Sequence, residues 1–169
     1  MSTDDFHPNA DELVAHNREF AELFHDARLE VAPTRHLAVV ACMDSRMDMF
    51  QILGLADGEA HILRNAGGVV TDDVIRSLCL SQRLLGTREI VLVHHNDCGL
   101  EKVQEVEFLE QLEAETGRRA PWTLQGFADP AEDVRTSIGL LQGSPFLLHK
   151  DHIRGFVYDV HDGLLQEVR

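Results

Sequence analysis

The 169 residues are enough for one domain with a buried core, and 29 acidic against 15 basic side chains, a net charge of −14, exclude a global basic face for nucleic acid or an anionic membrane. No apolar run approaches the ~20 residues of a membrane helix, and Met1 to Glu12 are polar and acidic, unlike a secretory signal. The expectation is a cytoplasmic protein whose three cysteines serve metal or thiol chemistry before any disulfide framework.

Leu13, Phe20, Leu23, Phe24 and Ala27 fall at helical spacing and predict an amphipathic helix over residues 9–28, within an N-terminal arm of residues 1–30. Pro33 ends that region. Leu37 to Ala41 is a continuous apolar run suited to a strand buried on both faces, and Ala41-Cys42-Met43-Asp44-Ser45-Arg46 follows at once. A short helix is predicted over Met47 to Leu55, then a strand at His61 to Leu63 that leads into Arg64-Asn65-Ala66-Gly67-Gly68. Gly67 and Gly68 are read as serving close backbone packing rather than phosphate binding, since no lysine and helix start of the phosphate-loop type follow.

Thr71 is placed to cap a helix that runs to Leu85 and stops at Gly86. That helix contains Cys79 within an apolar pattern, which marks it as a core residue rather than a ligand. Glu89 to His94 is the clearest strand in the chain, and His94-His95-Asn96-Asp97-Cys98-Gly99 closes it. Val103 to Thr116 is expected to be helical, Pro121 to Gly126 irregular, and Asp129-Pro130 to begin another helix. Ile153 to Val160, a turn at His161 to Gly163, and Leu164 to Val168 read as a terminal hairpin.

Strands alternating with helices predict an α/β fold, a single domain over residues 1–169 with a mainly parallel sheet of order 2-1-3-4 and an antiparallel edge strand. In such sheets, sites form beyond the carboxyl ends of strands where the strand order reverses. The two motifs would therefore meet there. Cys42 and Cys98 bring thiolates, His95 an imidazole and Asp44 a carboxylate, a set that zinc takes readily. Asp44 and Arg46 are the point of decision. Paired with Arg46, Asp44 stays off the metal; released, it becomes a fourth ligand. The plainer readings are buried thiols at Cys42 and Cys98 and a structural ion pair at Asp44 and Arg46. His94 is expected on the opposite strand face, in the core or at the surface, and His149 with His152 as a solvated pair.

Cys-x-Asp-x-Arg at 42–46 and His-x-x-Cys at 95–98 resemble the signature of the β-class carbonic anhydrases, with the compact form of the small prokaryotic members. The resemblance covers nearly the whole chain, and it implies zinc held by Cys42, His95 and Cys98. The implied reaction is reversible hydration of carbon dioxide to bicarbonate and a proton by zinc-bound hydroxide, which Asp44 orients while Arg46 restrains Asp44. It further implies a homodimer that exchanges N-terminal helices, or a dimer of dimers. Asn96 stands where many relatives carry a small hydroxyl residue, and Glu59 where aspartate is frequent. Three alternatives accompany this reading: hydrolysis of carbon disulfide or carbonyl sulfide on the same scaffold, a permanently closed zinc protein, and a thiol redox protein using Cys42 and Cys98.

Overall fold

The computed structural model describes residues 7–169; the first six residues of the expected arm lie outside them. Five strands form one sheet: β1 (Leu37–Cys42), β2 (Ala60–Asn65), β3 (Glu89–His95), β4 (Ile153–Tyr158) and β5 (Leu165–Val168). Their order is β2-β1-β3-β4-β5. The first four strands run parallel and β5 pairs antiparallel with β4, so the expected order holds with the hairpin's second strand as the antiparallel edge.

Strand alternation divides the core into two layers. Ala38 and Val40 of β1 and Ile90 and Leu92 of β3 face one side, where they meet Val74 and Leu78 of α3 (Asp72–Leu85) and Leu141 of α6 (Pro130–Gly143). Val39, Ala41 and Val93 face the other, with Met49 of α2 (Met49–Leu53) and with Cys42 and Cys98. A period of two therefore sends His94 and His95, adjacent in sequence, to opposite faces of the sheet. His94 is fully buried on the α6 side, where its Nε2 meets Asp133 at 2.7 Å.

Helix α3 has the expected limits because its end signals are local. The Thr71 hydroxyl accepts the Val74 N–H, and Gly86 takes the left-handed conformation that a C-terminal stop requires. The chain between β2 and α3 crosses over the end of β1 at Gly68, whose φ is +72° and where a Cβ would lie 2.8 Å from the Cys42 amide nitrogen. The paired glycine thus serves backbone packing against the first motif.

Two helices depart from expectation. α1 covers only Ala10–Leu23: farther on, the Asp26 carboxylate accepts the Arg28 N–H at 2.8 Å, a local turn that competes with helix. The helix expected over Val103 to Thr116 starts two residues later, as α5 (Glu105–Thr116), with Val103 and Gln104 extended, and a separate short helix α4 (Gly99–Lys102) precedes it. Glu105 is drawn away from a purely helical role, since its carboxylate accepts the N–H groups of Leu124 and Gly126 and holds the irregular 121–126 stretch. The two departures from the resembled pattern have structural employment: Asn96 Oδ1 accepts the Val160 N–H, and Glu59 accepts the Ala56 N–H while pairing with Arg35.

Candidate metal centre

The carboxyl ends of β1 and β3 lie side by side, and each motif leaves its strand into a loop at that edge. Cys42 and Cys98, 56 residues apart in sequence, bring their Sγ atoms to 4.0 Å. With His95 they form the one cluster among the described residues that suits a metal ion, each offering a ligand atom within 4.8 Å of the others. All three side chains are buried. His95 Nδ1 is 2.8 Å from the Asn96 carbonyl, which fixes it as the donating nitrogen and leaves Nε2 with its lone pair toward the sulfurs. That Nε2 is buried with no hydrogen-bond partner, an unmet need that a cation between it and the two sulfurs would satisfy.

The thiols carry the same message. The neighbouring Cys98 thiol pulls Cys42 down, against the opposing effect of burial, with His95 and the N–H groups of Asp44 and Gly67 adding to the pull. Cys98 is pushed far up, by Cys42 first and by burial second. Two buried thiols this close are a donor set for a dication, which stabilises both as thiolates.

Asp44 is not in this cluster. Arg46 grips it at both oxygens: Nε donates to Oδ1 at 3.0 Å and Nη2 to Oδ2 at 2.8 Å, while the Arg46 backbone N–H also donates to Oδ1. Asp44 Oδ2 still lies only 3.7 Å from His95 Nε2. Arg46 holds the Asp44 carboxyl well below the usual carboxylate range.

Arg64, Asp97 and Lys102 were not singled out from sequence as contributors. Arg64 donates from Nε to the Cys42 carbonyl at 2.9 Å and from Nη2 to the Asp44 carbonyl at 2.6 Å, so β2 braces the first loop. Asp97, inside the second motif, accepts from Arg46 Nη1 at 2.9 Å and pairs with Lys102. A charged residue within the His-x-x-Cys spacer was the available signal for Asp97; nothing in the spacing pointed to its partner. Cys79 packs against the core layer of α3 and α6, and His149 and His152 enter no metal-suited cluster among the described residues.

A family model described as carbonic anhydrase matches residues 37–137, which carry both motifs. β-Carbonic anhydrase 1 of Mycobacterium tuberculosis is 48% identical over 158 residues, covering 94% of this chain and 96% of the relative. The chain belongs to the β-carbonic anhydrase family. Its fold agrees with the crystal structure of carbonic anhydrase from Streptococcus mutans at a TM-score of 0.89 and 44% identity, over 97% of this chain and 99% of that one. A carbon disulfide hydrolase of Acidithiobacillus thiooxidans is also similar, at 29% identity over 82% of this chain and 80% of its own length. The family scaffold therefore carries more than one named activity.

The charged pairs at this edge predict an acid dependence in the metal-free protein. Asp97 is held down to about 2, by Lys102 first and Arg46 second, and Asp44 is held lower. Both carboxyls bind protons more readily in the unfolded chain, near about 3.9, so their contribution is fully present above that pH and is lost as pH falls through the folded values. Denaturant midpoints should fall between about pH 4 and pH 2, and the fall should be shallower in Arg46→Ala. Parallel pH curves for the two proteins would contradict the assignment.

Proposed function

We propose that this protein is a zinc-dependent carbonic anhydrase that interconverts carbon dioxide with bicarbonate and a proton. Cys42, His95 and Cys98 would hold the metal, leaving one position for water. The observation that carries the reading is the buried, partnerless His95 Nε2 beside two sulfurs, with Asp44 drawn aside by Arg46. Zinc bound there supplies Lewis acidity that brings the pKa of a coordinated water toward neutrality. Two thiolate ligands offset the metal's charge, so activity is expected to rise toward alkaline pH.

The chain's own residues do the rest. Arg46 takes both Asp44 oxygens, which orients the carboxylate to accept a hydrogen bond from the attacking water and aim it at the substrate carbon. Leu100 and Phe127 pack against the layer that contains Cys42 and Cys98, giving this side of the site apolar walls suited to a small apolar substrate. A cytoplasmic location, where thiols stay reduced, fits that chemistry. Carbon disulfide hydrolysis is the second reading, favoured by the Acidithiobacillus relative. Stopped-flow carbon dioxide hydration beside a sulfide-release assay separates them. Hydration without sulfide supports the anhydrase; sulfide release without hydration supports the hydrolase.

We also propose a homodimer, with a dimer of dimers as the higher assembly. No residue of α1 is buried, and Leu13, Phe20 and Leu23 along it and Phe24 just after it are exposed. A shallow apolar groove lined by Ile75, Cys79, Leu80 and Phe146 is a fitting seat for that helix from a second copy. Sedimentation at micromolar concentration should find a dimer, and Phe20→Glu with Leu23→Glu should dissociate it. A monomeric wild type would refute the proposal.

A further inference from the structure

We propose that Asp97 is a positioning residue: anchored by Lys102, it pins Arg46 in the orientation that holds Asp44 away from the Cys42, His95 and Cys98 cluster. The inference rests on the reading of Asp44 as the group that opens or closes the metal position.

Arg46 has five N–H donors, and four are engaged. Two go to Asp44, and the other two go to Asp97, from Nη1 to Oδ2 at 2.9 Å and from Nη2 to the backbone carbonyl at 3.1 Å. The guanidinium is thus held at opposite edges by two carboxylates. Asp97 in turn presents its other oxygen to Lys102 at the end of α4. Its backbone sits in the left-handed region, with φ at +56°, which lets the short spacer between His95 and Cys98 offer both carboxylate and carbonyl to the arginine. One loop supplies two residues of the cluster and also clamps the arginine of the other loop.

The clamp matters because Arg46 is 43% exposed and carried on a long, flexible stem. An exposed ion pair standing alone contributes little and opens readily. Asp44 needs only a short movement to turn from Arg46 toward His95 Nε2, at 3.7 Å. Fixing the far edge of the guanidinium reduces the freedom by which that pair would open.

The test uses Asp97→Asn, which removes the charge and keeps a residue type that tolerates the left-handed backbone. In the metal-free protein, hydrogen exchange at the Arg46 Nε–H, identified by its loss in Arg46→Ala, should quicken about fivefold, the most that an exposed pair of this kind carries. In cobalt-substituted protein, azide, an anion that needs an open coordination position, should bind about fivefold more weakly with cobalt content unchanged. Lys102→Ala should move both readouts the same way by less. Unchanged exchange at Arg46 overturns the assignment. So does azide affinity equal to or tighter than wild type, because Asp97 would then be offering Arg46 a second home once Asp44 leaves. Failure of wild-type cobalt protein to bind azide also overturns it. If both readouts behave as expected and zinc-loaded wild type hydrates no carbon dioxide, the proposed function fails and the clamp stands.

Discussion

Cys98→Ser is expected to lose zinc and to lower carbon dioxide hydration more than about 100-fold, beyond the 10–100-fold that removing a ligand's supporting partner costs. The reasoning starts from the two thiols. Cys42 and Cys98 lie 4.0 Å apart and are buried, so a dication between them favours the ionised form of both. A serine hydroxyl has nearly the same shape but does not ionise under these conditions, and it leaves the site one thiolate short. The fold should survive, since the substitution is small and the strands are held by the apolar layers on both faces of the sheet. Metal content and thermal unfolding, measured together, check both halves of the expectation. A folded variant that keeps one zinc per chain and full activity would remove Cys98 from the centre.

Arg46→Ala is expected to do the opposite to the metal and something similar to the rate. Zinc stays, because none of the three clustered residues is touched, while Asp44 loses the partner that holds it aside. Breaking a buried ion pair costs about 3–5 kcal/mol, but Asp44 keeps 17% exposure and Arg46 43%. Solvent therefore reduces the penalty well below that of a buried pair. Asp44 is expected to relieve that penalty by turning to the metal, and closing the coordination position is expected to cost roughly tenfold or more in turnover at neutral pH. Steady-state hydration with metal analysis is the check, and an Arg46→Ala protein with full turnover would refute the gate.

Much of this architecture was legible because its determinants are short-range. Thr71 and Gly86 delimit α3 by contacts within one turn, and the apolar runs of β1 and β3 match strands covered on both faces. The meeting of Cys42 with Cys98 followed from topology, since parallel strands on either side of an order reversal bring their carboxyl ends together. Other features depend on contacts that no local pattern contains. The end of α1 is set by an Asp26 turn, and the break before α5 accompanies Glu105 reaching a loop about twenty residues on. Asp97 was overlooked for the same reason: its place beside Arg46 requires a positive φ and a contact between two loops. The exposure of the Asp44–Arg46 pair is likewise set by its place at the open edge of the sheet, partly in water, which no local pattern shows.

The central claim is that the cysteine and histidine cluster, with Asp44 held off it, performs hydration. Its most direct test is stopped-flow carbon dioxide hydration by zinc-loaded protein from about pH 6.5 to about pH 9, a window around the pKa that zinc confers on water, with Cys98→Ser as the control. Activity that climbs with pH and vanishes in the control is the predicted result. Zinc-bound protein with no activity anywhere in that range would contradict it.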